Sequence, residues 1–311
     1  MSDLRAAVIG VGHLGRHHAR ILGSTPGVTL AAVVDRDPER AAQHAKTSGA
    51  RVCADAAELA SMDLDAVCVA VPTEDHLAVA LPLLARGIGV LVEKPMTRSL
   101  DEADRMIAAA RAGGAMLGVG HTERFNPAVE AALPYVTAPK FIEVHRLSPF
   151  PERSLDIDVI FDLMIHDLDI VRTMVRSEVV DLEAVGVPVL SPRFDIANVR
   201  LRFESGCIAN LTASRISKDR VRKLRVFQRD AYISIDYAEQ QVEAYRLDRS
   251  GERPAIGGGS LPIEKEEPLR REIEDFLDAV RHGRAPRVTG EDGRAALALA
   301  DRIASAMVAV S

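Results

Sequence analysis

Asp162 and His166 lie four residues apart in a stretch with helical periodicity, and Lys94 follows a short apolar run, Val90–Val92, and Glu93. In a helix Asp162 and His166 share a face, where the carboxylate can orient the ring or bind a substrate hydroxyl. Histidine suits proton removal because its pKa lies near neutral pH, and a lysine can stabilise a developing alkoxide. The set therefore predicts oxidation of an alcohol, with either Lys94 or His166 as the base. A capping aspartate and a buried structural histidine are the alternative.

A glycine-rich turn, residues 10–15, follows the first apolar run directly and opens a helix-like stretch. This context predicts a dinucleotide site, because the glycines permit a tight turn and a close approach of the pyrophosphate. The helix N-terminus would offer N–H groups to the phosphates. The candidate cofactor-binding residues of this turn are Gly10, Gly12, His13, Leu14 and Gly15.

Asp35 ends the next apolar run, twenty residues after Gly15. A carboxylate there can accept hydrogen bonds from the adenosine ribose and would repel a 2′-phosphate, so NAD is the predicted cofactor. Arg36 keeps NADP open as an alternative, because a neighbouring arginine can pair with that phosphate. His13 and His17, one helical turn apart, raise the alternative of a metal pair. Since no carboxylate is near them in sequence, no metal site is predicted.

Two later apolar runs end in residues expected at the carboxyl edge of the same sheet, where ligands of open α/β sheets bind. Pro72 and Thr73 can pack under the nicotinamide ribose, and His76 is expected to cap a helix or to lie beside the cofactor. Glu93 and Lys94 complete the candidate cofactor-binding set. The Lys94–Pro95 bond is a candidate cis peptide.

The pattern of apolar residues changes along the chain, with a boundary near residue 121. Short apolar runs alternate with stretches of helical length in the first 120 residues, which predicts a parallel sheet covered by helices. Later runs alternate polar with apolar residues, which predicts an antiparallel sheet interrupted by a helix over Phe161–Val175. Gly251–Ser260 is expected to be a loop, and Pro268–Val280 and Gly290–Val310 are expected to be helices. The predicted domains are residues 1–121 and 122–311.

The composition narrows the classes of partner and compartment. The net charge of -6 argues against nucleic acid, which needs a basic surface, and no apolar stretch is long enough to span a membrane. No signal peptide is recognisable, and the three cysteines form no C-x-x-C pair. Cys68 lies in an apolar run and is expected to be a buried thiol. A cytoplasmic, reducing compartment is therefore expected.

These motifs together resemble the glucose–fructose oxidoreductase/inositol dehydrogenase (Gfo/Idh/MocA) family, over essentially the whole chain. The resemblance implies an α/β fold: an N-terminal Rossmann doubly wound parallel sheet, and a C-terminal domain with an open, largely antiparallel sheet. It implies Lys94, Asp162 and His166 as the catalytic residues, a sugar held between the domains, and a homodimer or homotetramer formed through the open sheet. The matching motifs are Gly10-x-Gly12-x-x-Gly15-Arg16-x-His18, Glu93-Lys94-Pro95, Arg124-Phe125-Asn126-Pro127, Asp162-x-x-x-His166 and Gly283-Arg284-x-Pro286.

Three segments, Asp162–Asp167, Arg215–Ser217 and Lys223–Gln228, resemble one subgroup of this family, which oxidises the C3 hydroxyl of UDP-N-acetylglucosamine. This resemblance implies a UDP-sugar as the substrate, with a free sugar or a cyclitol as the alternative. A non-catalytic NAD-binding regulator is a further alternative, but it would not need the catalytic residues. Asp156, Asp158 and Met164 depart from glycines that are common in the family. The basic segment 215–229 fits a sugar diphosphate, although a solvated or interface strand would also account for it. The candidate substrate-binding residues are Arg124, Asn126, Arg215 and Lys223.

Overall fold

The computed structural model describes residues 3–150, 157–251 and 253–309. Its strands are β1 (Leu4–Ile9), β2 (Val28–Val34), β3 (Arg51–Val52), β4 (Ala66–Val69), β5 (Gly89–Glu93), β6 (Leu117–Gly120), β7 (Pro139–Leu147), β8 (Val179–Val187), β9 (Ile196–Phe203), β10 (Ile208–Ser214), β11 (Val221–Gln228), β12 (Ala231–Asp236), β13 (Gln241–Asp248), β14 (Ala255–Ser260) and β15 (Val308–Ala309). Its α-helices are α1 (Gly15–Leu22), α2 (Pro38–Ser48), α3 (Ala56–Ala60), α4 (His76–Leu84), α5 (Leu100–Gly113), α6 (Pro127–Ala132), α7 (Ile165–Val175), α8 (Pro268–His282) and α9 (Gly290–Ala306).

The first compact unit is built on a parallel sheet, which in the described residues has the order β3-β2-β1-β4-β5-β6. All residues of β4 and β5 are buried, as expected for strands whose two faces are both covered by helices. The chain order reverses between β1 and β4. In a doubly wound sheet this reversal is the point where a ligand binds, at the carboxyl ends of the strands.

The unit boundaries differ from the sequence-based domains in one respect. The first unit comprises Met1–His121 together with Leu269–Ala295, and the second comprises Thr122–Pro268 with Ala296–Ser311. The sequence predicts a second domain that includes all of residues 122–311. Residues 269–295 belong instead to the first unit, because α8 buries an apolar face in its core. The side chains of that face are Ile273, Phe276 and Leu277.

The second unit contains a larger sheet, with the order β14-β13-β12-β11-β7-β10-β9-β8-β15 among the described residues. β7 is parallel to β10 and antiparallel to β11, and most other neighbours are antiparallel. Alternate side chains of β7 and of β9 to β13 are buried in one core cluster with α6, α7 and the end of α9. The side chains between them, on the outer face, are exposed or half-buried. The mixed, mostly antiparallel sheet agrees with the predicted α/β class.

Two local predictions are corrected by the structure. The predicted loop Gly251–Ser260 contains strand β14, which pairs with β13 at the edge of the sheet. Its three glycines give no alternation of side chains, so the sequence pattern does not reveal a strand. The predicted helix Gly290–Val310 ends at Ala306, and Val308–Ala309 form β15 beside β8.

The three cysteines, Cys53, Cys68 and Cys207, are unpaired and buried, which confirms the expectation for Cys68. Among the helices of the described residues, none combines the length with the apolar character that crossing a bilayer requires.

Candidate active site

The glycine-rich turn has the close packing that its glycines predict. Gly10 adopts a left-handed backbone (φ +84°), and a Cβ at Gly15 would lie 1.6 Å from the carbonyl oxygen of Gly10. Only glycine fits at these two positions. A Cβ at Gly12 would instead enter open space, with the nearest atom, a guanidinium nitrogen of Arg40, 3.7 Å away. Gly12 therefore leaves open space beside the turn, where the backbone could approach a pyrophosphate.

The first turn of α1 borders this open space. Leu14, immediately before the helix, provides no side-chain cap, so the positive end of the helix dipole is available to an anion. Leu14 itself is 44% exposed, which is unusual for a leucine beside a buried strand, and His13 is exposed as well. The residues present at this turn fit an NAD pyrophosphate.

Asp35 fixes the turn from the end of β2. One carboxylate oxygen accepts the N–H of Val11 at 2.8 Å and the other accepts the N–H of Asp37 at 2.9 Å. The arginine in contact with Asp35 is Arg40, at 3.4 Å, whereas Arg36 pairs with Asp75 at 2.8 Å. The sequence-based concern that Arg36 recruits a 2′-phosphate therefore applies instead to Arg40, which sequence reasoning missed.

The next strand end carries Pro72, which is exposed, and Thr73, which is half-buried at the start of a 3-10 turn. His76 is buried, at 1% exposure, and its ring nitrogens lie 3.0 Å from the carbonyl oxygen of Val71 and 3.1 Å from that of Pro95. Burial lowers the pKa of His76. His76 therefore joins two loops of the first unit, and its place beside the cofactor stays a prediction.

Glu93 is also buried, and it holds the backbone that leads to Lys94. One carboxylate oxygen lies 2.9 Å from Nε2 of His18, and the other accepts the N–H of Lys94 at 3.3 Å. A Cβ at Gly120 would lie 3.0 Å from that second oxygen, so the glycine makes room for it. These contacts give Glu93 a positioning role, and its contact with the cofactor stays a prediction. Lys94 is half-buried, and the Lys94–Pro95 bond is cis as predicted.

The pKa shifts of His18 and Glu93 favour the charged form of each side chain. Burial alone would lower the pKa of His18, but interactions with Cys68 and with the Glu93 carboxylate raise it well above its usual value. Burial would raise the pKa of Glu93, but His18 and Lys94 lower it. The strand end that presents Lys94 therefore holds a buried histidine–carboxylate contact.

His13 and His17 contact each other edge to face, with ring centroids 6.2 Å apart. In the part of the chain that the structure describes, no group of three or more histidine, cysteine or acidic side chains is arranged to hold a metal ion.

Asp162 lies in a π-helical turn, Ile160–Met164, that leads directly into α7, where His166 is in the first turn. Both side chains are half-buried. A π turn closes by i→i+5 hydrogen bonds, has more residues per turn than an α-helix, and is frequent at functional sites. Residues four apart in a helical segment lie near one face, so we expect Asp162 and His166 to share a side of this segment.

The departures from the family pattern have structural roles. Asp158 accepts the N–H of Phe194 at 2.9 Å, and its carbonyl oxygen accepts the N–H groups of Phe161 and Asp162. Met164 is fully buried in the core. Asp156 lies outside the described residues.

Two arginines hold α7 through the acids beside His166. Arg146 of β7 binds both oxygens of Asp167, at 2.7 and 2.8 Å, and reaches Glu123 at 3.0 Å. Arg124 binds both oxygens of Asp169, at 2.7 and 3.1 Å. Burial raises the pKa of Asp167, which Arg146 opposes. Burial would lower the pKa of Arg146, but Asp167 and Glu123 raise it well above its usual value.

The four candidate substrate-binding residues have other partners. Arg124 is engaged by Asp169, and Asn126 is buried, where it caps α6 and donates to Glu123.

Arg215 is fully buried, 2.8 Å from a carboxylate oxygen of Asp195. Lys223 pairs with Asp236 at 3.4 Å on the sheet face opposite α7. The first three residues thus help to hold the protein together, and Lys223 lies on the sheet face opposite α7. Their contact with a substrate stays a prediction.

Sequence reasoning missed Glu123, Arg146, Asp167 and Asp169 as residues that support the site. One signal was available for Arg146, because it follows Ile142 and Val144 at the same alternate positions of β7 and so shares their buried face. Acidic residues within an apolar helix gave a similar signal for Asp167 and Asp169. Glu123 had no comparable signal.

Known proteins resemble the chain over nearly its whole length. Residues 4–121 match the model of the oxidoreductase family with an NAD-binding Rossmann fold, and residues 138–234 match the GFO/IDH/MocA C-terminal domain. UDP-N-acetylglucosamine 3-dehydrogenase of Acidithiobacillus ferrooxidans is 38% identical over 99% of both chains. Its solved structure matches with a TM-score of 0.92, covering 99% of this chain and 98% of that one.

Other relatives act on other polyols. The scyllo-inositol 2-dehydrogenase (NAD(+)) of Bacillus subtilis is 27% identical, covering 93% of this chain and 90% of its own. A levoglucosan dehydrogenase solved in complex with NADH shares the fold, with a TM-score of 0.87, 18% identity and coverage of 98% of this chain and 97% of that one. The chain is an NAD-binding oxidoreductase that belongs to the GFO/IDH/MocA family.

Proposed function

We propose that the chain oxidises the C3 hydroxyl of UDP-N-acetylglucosamine to a ketone, with NAD as the oxidant. The observation that carries this proposal is the full-length similarity to a UDP-N-acetylglucosamine 3-dehydrogenase, at 38% identity over 99% of each chain. The presence of Lys94, Asp162 and His166 supports it, because each has a role in removing a hydride and a proton from a secondary alcohol.

The cofactor, when bound, accepts the hydride that leaves C3. His166 or Lys94 takes the hydroxyl proton as the C3–O bond becomes a carbonyl, and the other residue donates a hydrogen bond to the same oxygen. Asp162 orients the sugar or the His166 ring. Glu93 keeps Lys94 in place through its backbone N–H, and the Asp167–Arg146 pair fixes the helix that carries His166. Leu14, His13, Pro72 and Thr73 are proposed to contact the cofactor.

A test of the substrate class compares UDP-N-acetylglucosamine, N-acetylglucosamine and scyllo-inositol as substrates, with NADH formation followed by absorbance. An aminotransferase that consumes 3-keto sugars pulls an unfavourable equilibrium forward. Turnover that requires the UDP group supports the proposal. Turnover of scyllo-inositol instead supports the second candidate, a cyclitol dehydrogenase, which the 27% identical Bacillus relative favours. If the protein binds NAD but reduces it with none of the three compounds, both candidate functions are contradicted.

We further propose that the second unit forms a homodimer or homotetramer through the outer face of its sheet. Four aromatic rings run across neighbouring strands there, with centroid separations of 5.7, 5.2 and 6.3 Å. Two of them are more than a third exposed, which is unusual for large aromatic side chains on a solvated face. The rings belong to Phe141, Phe227, Tyr232 and Tyr245.

Light scattering after size exclusion tests this assembly. Phe227→Glu should shift the protein to a smaller species, because it places a charge within the aromatic row, whereas Leu190→Glu, at an exposed loop residue, should not. An unchanged mass for Phe227→Glu contradicts the proposed face.

We also propose a reducing, cytoplasmic location, which the buried, unpaired cysteines support.

A further inference from the structure

Arg222 and Arg146 lie directly opposite each other in the antiparallel pair formed by β11 and β7. Leu224 and Val226, which follow Arg222 at alternate positions, are fully buried, so the Arg222 side chain is on the sheet face that packs against α7. Like charges directly opposite in such a pair destabilise it. A negative charge close to the two guanidinium groups would offset this repulsion.

The nearby carboxylates are already engaged by other groups. Asp167 gives both oxygens to Arg146, while Glu123 gives one oxygen to Arg146 and the other to Asn126. Among residues 3–150, 157–251 and 253–309, no carboxylate lies within ion-pair distance of the Arg222 guanidinium. Burial and the positive charge of Arg146 lower the pKa of Arg222. A bound anion would favour the charged guanidinium and so would offset this lowering of the pKa.

The other basic side chains of this segment are arranged differently. Lys223 and Arg225 are on the outer face, paired with Asp236 and Glu143. Strand alternation therefore leaves Arg222 as the half-buried guanidinium on the α7 side, and the exposed Arg220 adds positive charge nearby.

We propose that Arg222 binds the diphosphate of the nucleotide-sugar substrate, an inference that rests on the proposed function. A guanidinium can bind two phosphate oxygens at once, and such charge-assisted bonds are strong where water is partly excluded. Arg222 is also electrostatically coupled to Asp167, the residue that follows His166 in α7. An anion bound by Arg222 would thus be held at the same end of the second unit as the proposed base.

The test measures the affinity of the full-length protein for UDP and for uridine by titration calorimetry. Arg222→Gln should weaken UDP binding by about tenfold or more and leave uridine binding within about twofold, and Arg222→Lys should be intermediate because it keeps the charge but loses the paired donors. Arg249→Gln is the matched control, since it removes an exposed arginine that pairs with Asp230. This control should bind UDP like the wild type.

Thermal unfolding separates a ligand role from a structural one. Arg222→Gln should keep or raise the melting temperature without ligand, because it removes the charge opposite Arg146, and should show a smaller increase with UDP. Unaltered UDP affinity in Arg222→Gln, or equal losses for UDP and uridine, would overturn the inference while leaving the proposed function intact if the wild type oxidises UDP-N-acetylglucosamine. A wild type that binds no UDP overturns the inference as well as the proposed substrate.

Discussion

Arg146 binds both carboxylate oxygens of Asp167, the residue that follows His166 in α7. The pair is almost fully buried, with side-chain exposures of 5% and 2%. Because α7 carries the proposed base, this contact between a strand and the helix sets where that base lies. We therefore propose a positioning role for Arg146.

Arg146→Met should lower the free energy of unfolding by about 3–5 kcal/mol, because it leaves Asp167 and Glu123 as buried charges without their partner. Denaturant unfolding measures the loss. Arg249→Met is the control, since its exposed pair with Asp230 should contribute less than about 1 kcal/mol. Equal losses in the two variants would show that the buried pair has no special role.

Gly12→Ala and Gly15→Ala should separate cofactor binding from folding. A Cβ at Gly15 would collide with the carbonyl oxygen of Gly10, so Gly15→Ala should lower both stability and NAD affinity. A Cβ at Gly12 enters open space, so Gly12→Ala should keep the wild-type melting temperature while NAD affinity falls by about tenfold or more. Calorimetric titration with NAD and thermal unfolding make the comparison. Full NAD affinity in Gly12→Ala would contradict a close approach of the pyrophosphate at Gly12.

His18 should stay protonated above its usual pKa of 6.5, because Cys68 and Glu93 raise the pKa of the buried ring despite its burial. Its charged form therefore contributes stability that is fully present below about pH 6.5 and is lost as pH rises through the raised pKa. NMR titration should place the pKa of His18 above 6.5, and Glu93→Gln should lower it.

Unfolding measurements check the same linkage independently. The difference in stability between wild type and His18→Gln should shrink as pH rises through the folded-state pKa. For Glu93, whose pKa is lowered, the contribution is present above pH 4.5 and is lost as pH falls through its folded-state pKa. A stability difference for His18→Gln that does not change with pH would contradict the charged pair.

Local patterns predicted the parallel sheet, the glycine-rich turn and a helical segment carrying Asp162 and His166, because these depend on short-range periodicity and on fixed spacings. They did not predict the π turn, Ile160–Met164, at the start of that segment. The roles of Arg215 and Asn126 could not be predicted this way. Both residues attracted notice because of a nearby sequence pattern: Arg215 lies in a basic segment and Asn126 in a family motif. Their burial, beside Asp195 and at the start of α6, depends on contacts between residues distant in sequence.

The same limit applies to the glycine-rich strand β14 and to residues 269–295. The glycines of β14 give no alternation of polar and apolar side chains. The amphipathic pattern of α8 indicates a buried face but does not indicate which sheet that face packs against. The sheet face on which each basic residue of β11 lies can, by contrast, be deduced from strand alternation once the bounds of the strand are known. That argument separates Arg222 from Lys223 and Arg225.

The most direct test of the account measures turnover of UDP-N-acetylglucosamine and NAD binding together, in the wild type and in His166→Ala. Loss of the base should reduce kcat by about 10²–10⁴-fold, while NAD affinity, which depends on the glycine-rich turn, stays unchanged. Lys94→Ala provides the parallel measurement for the second candidate base. We expect turnover in the wild type and its loss in His166→Ala, with NAD still bound by the variant. Undiminished turnover in both variants would contradict this expectation.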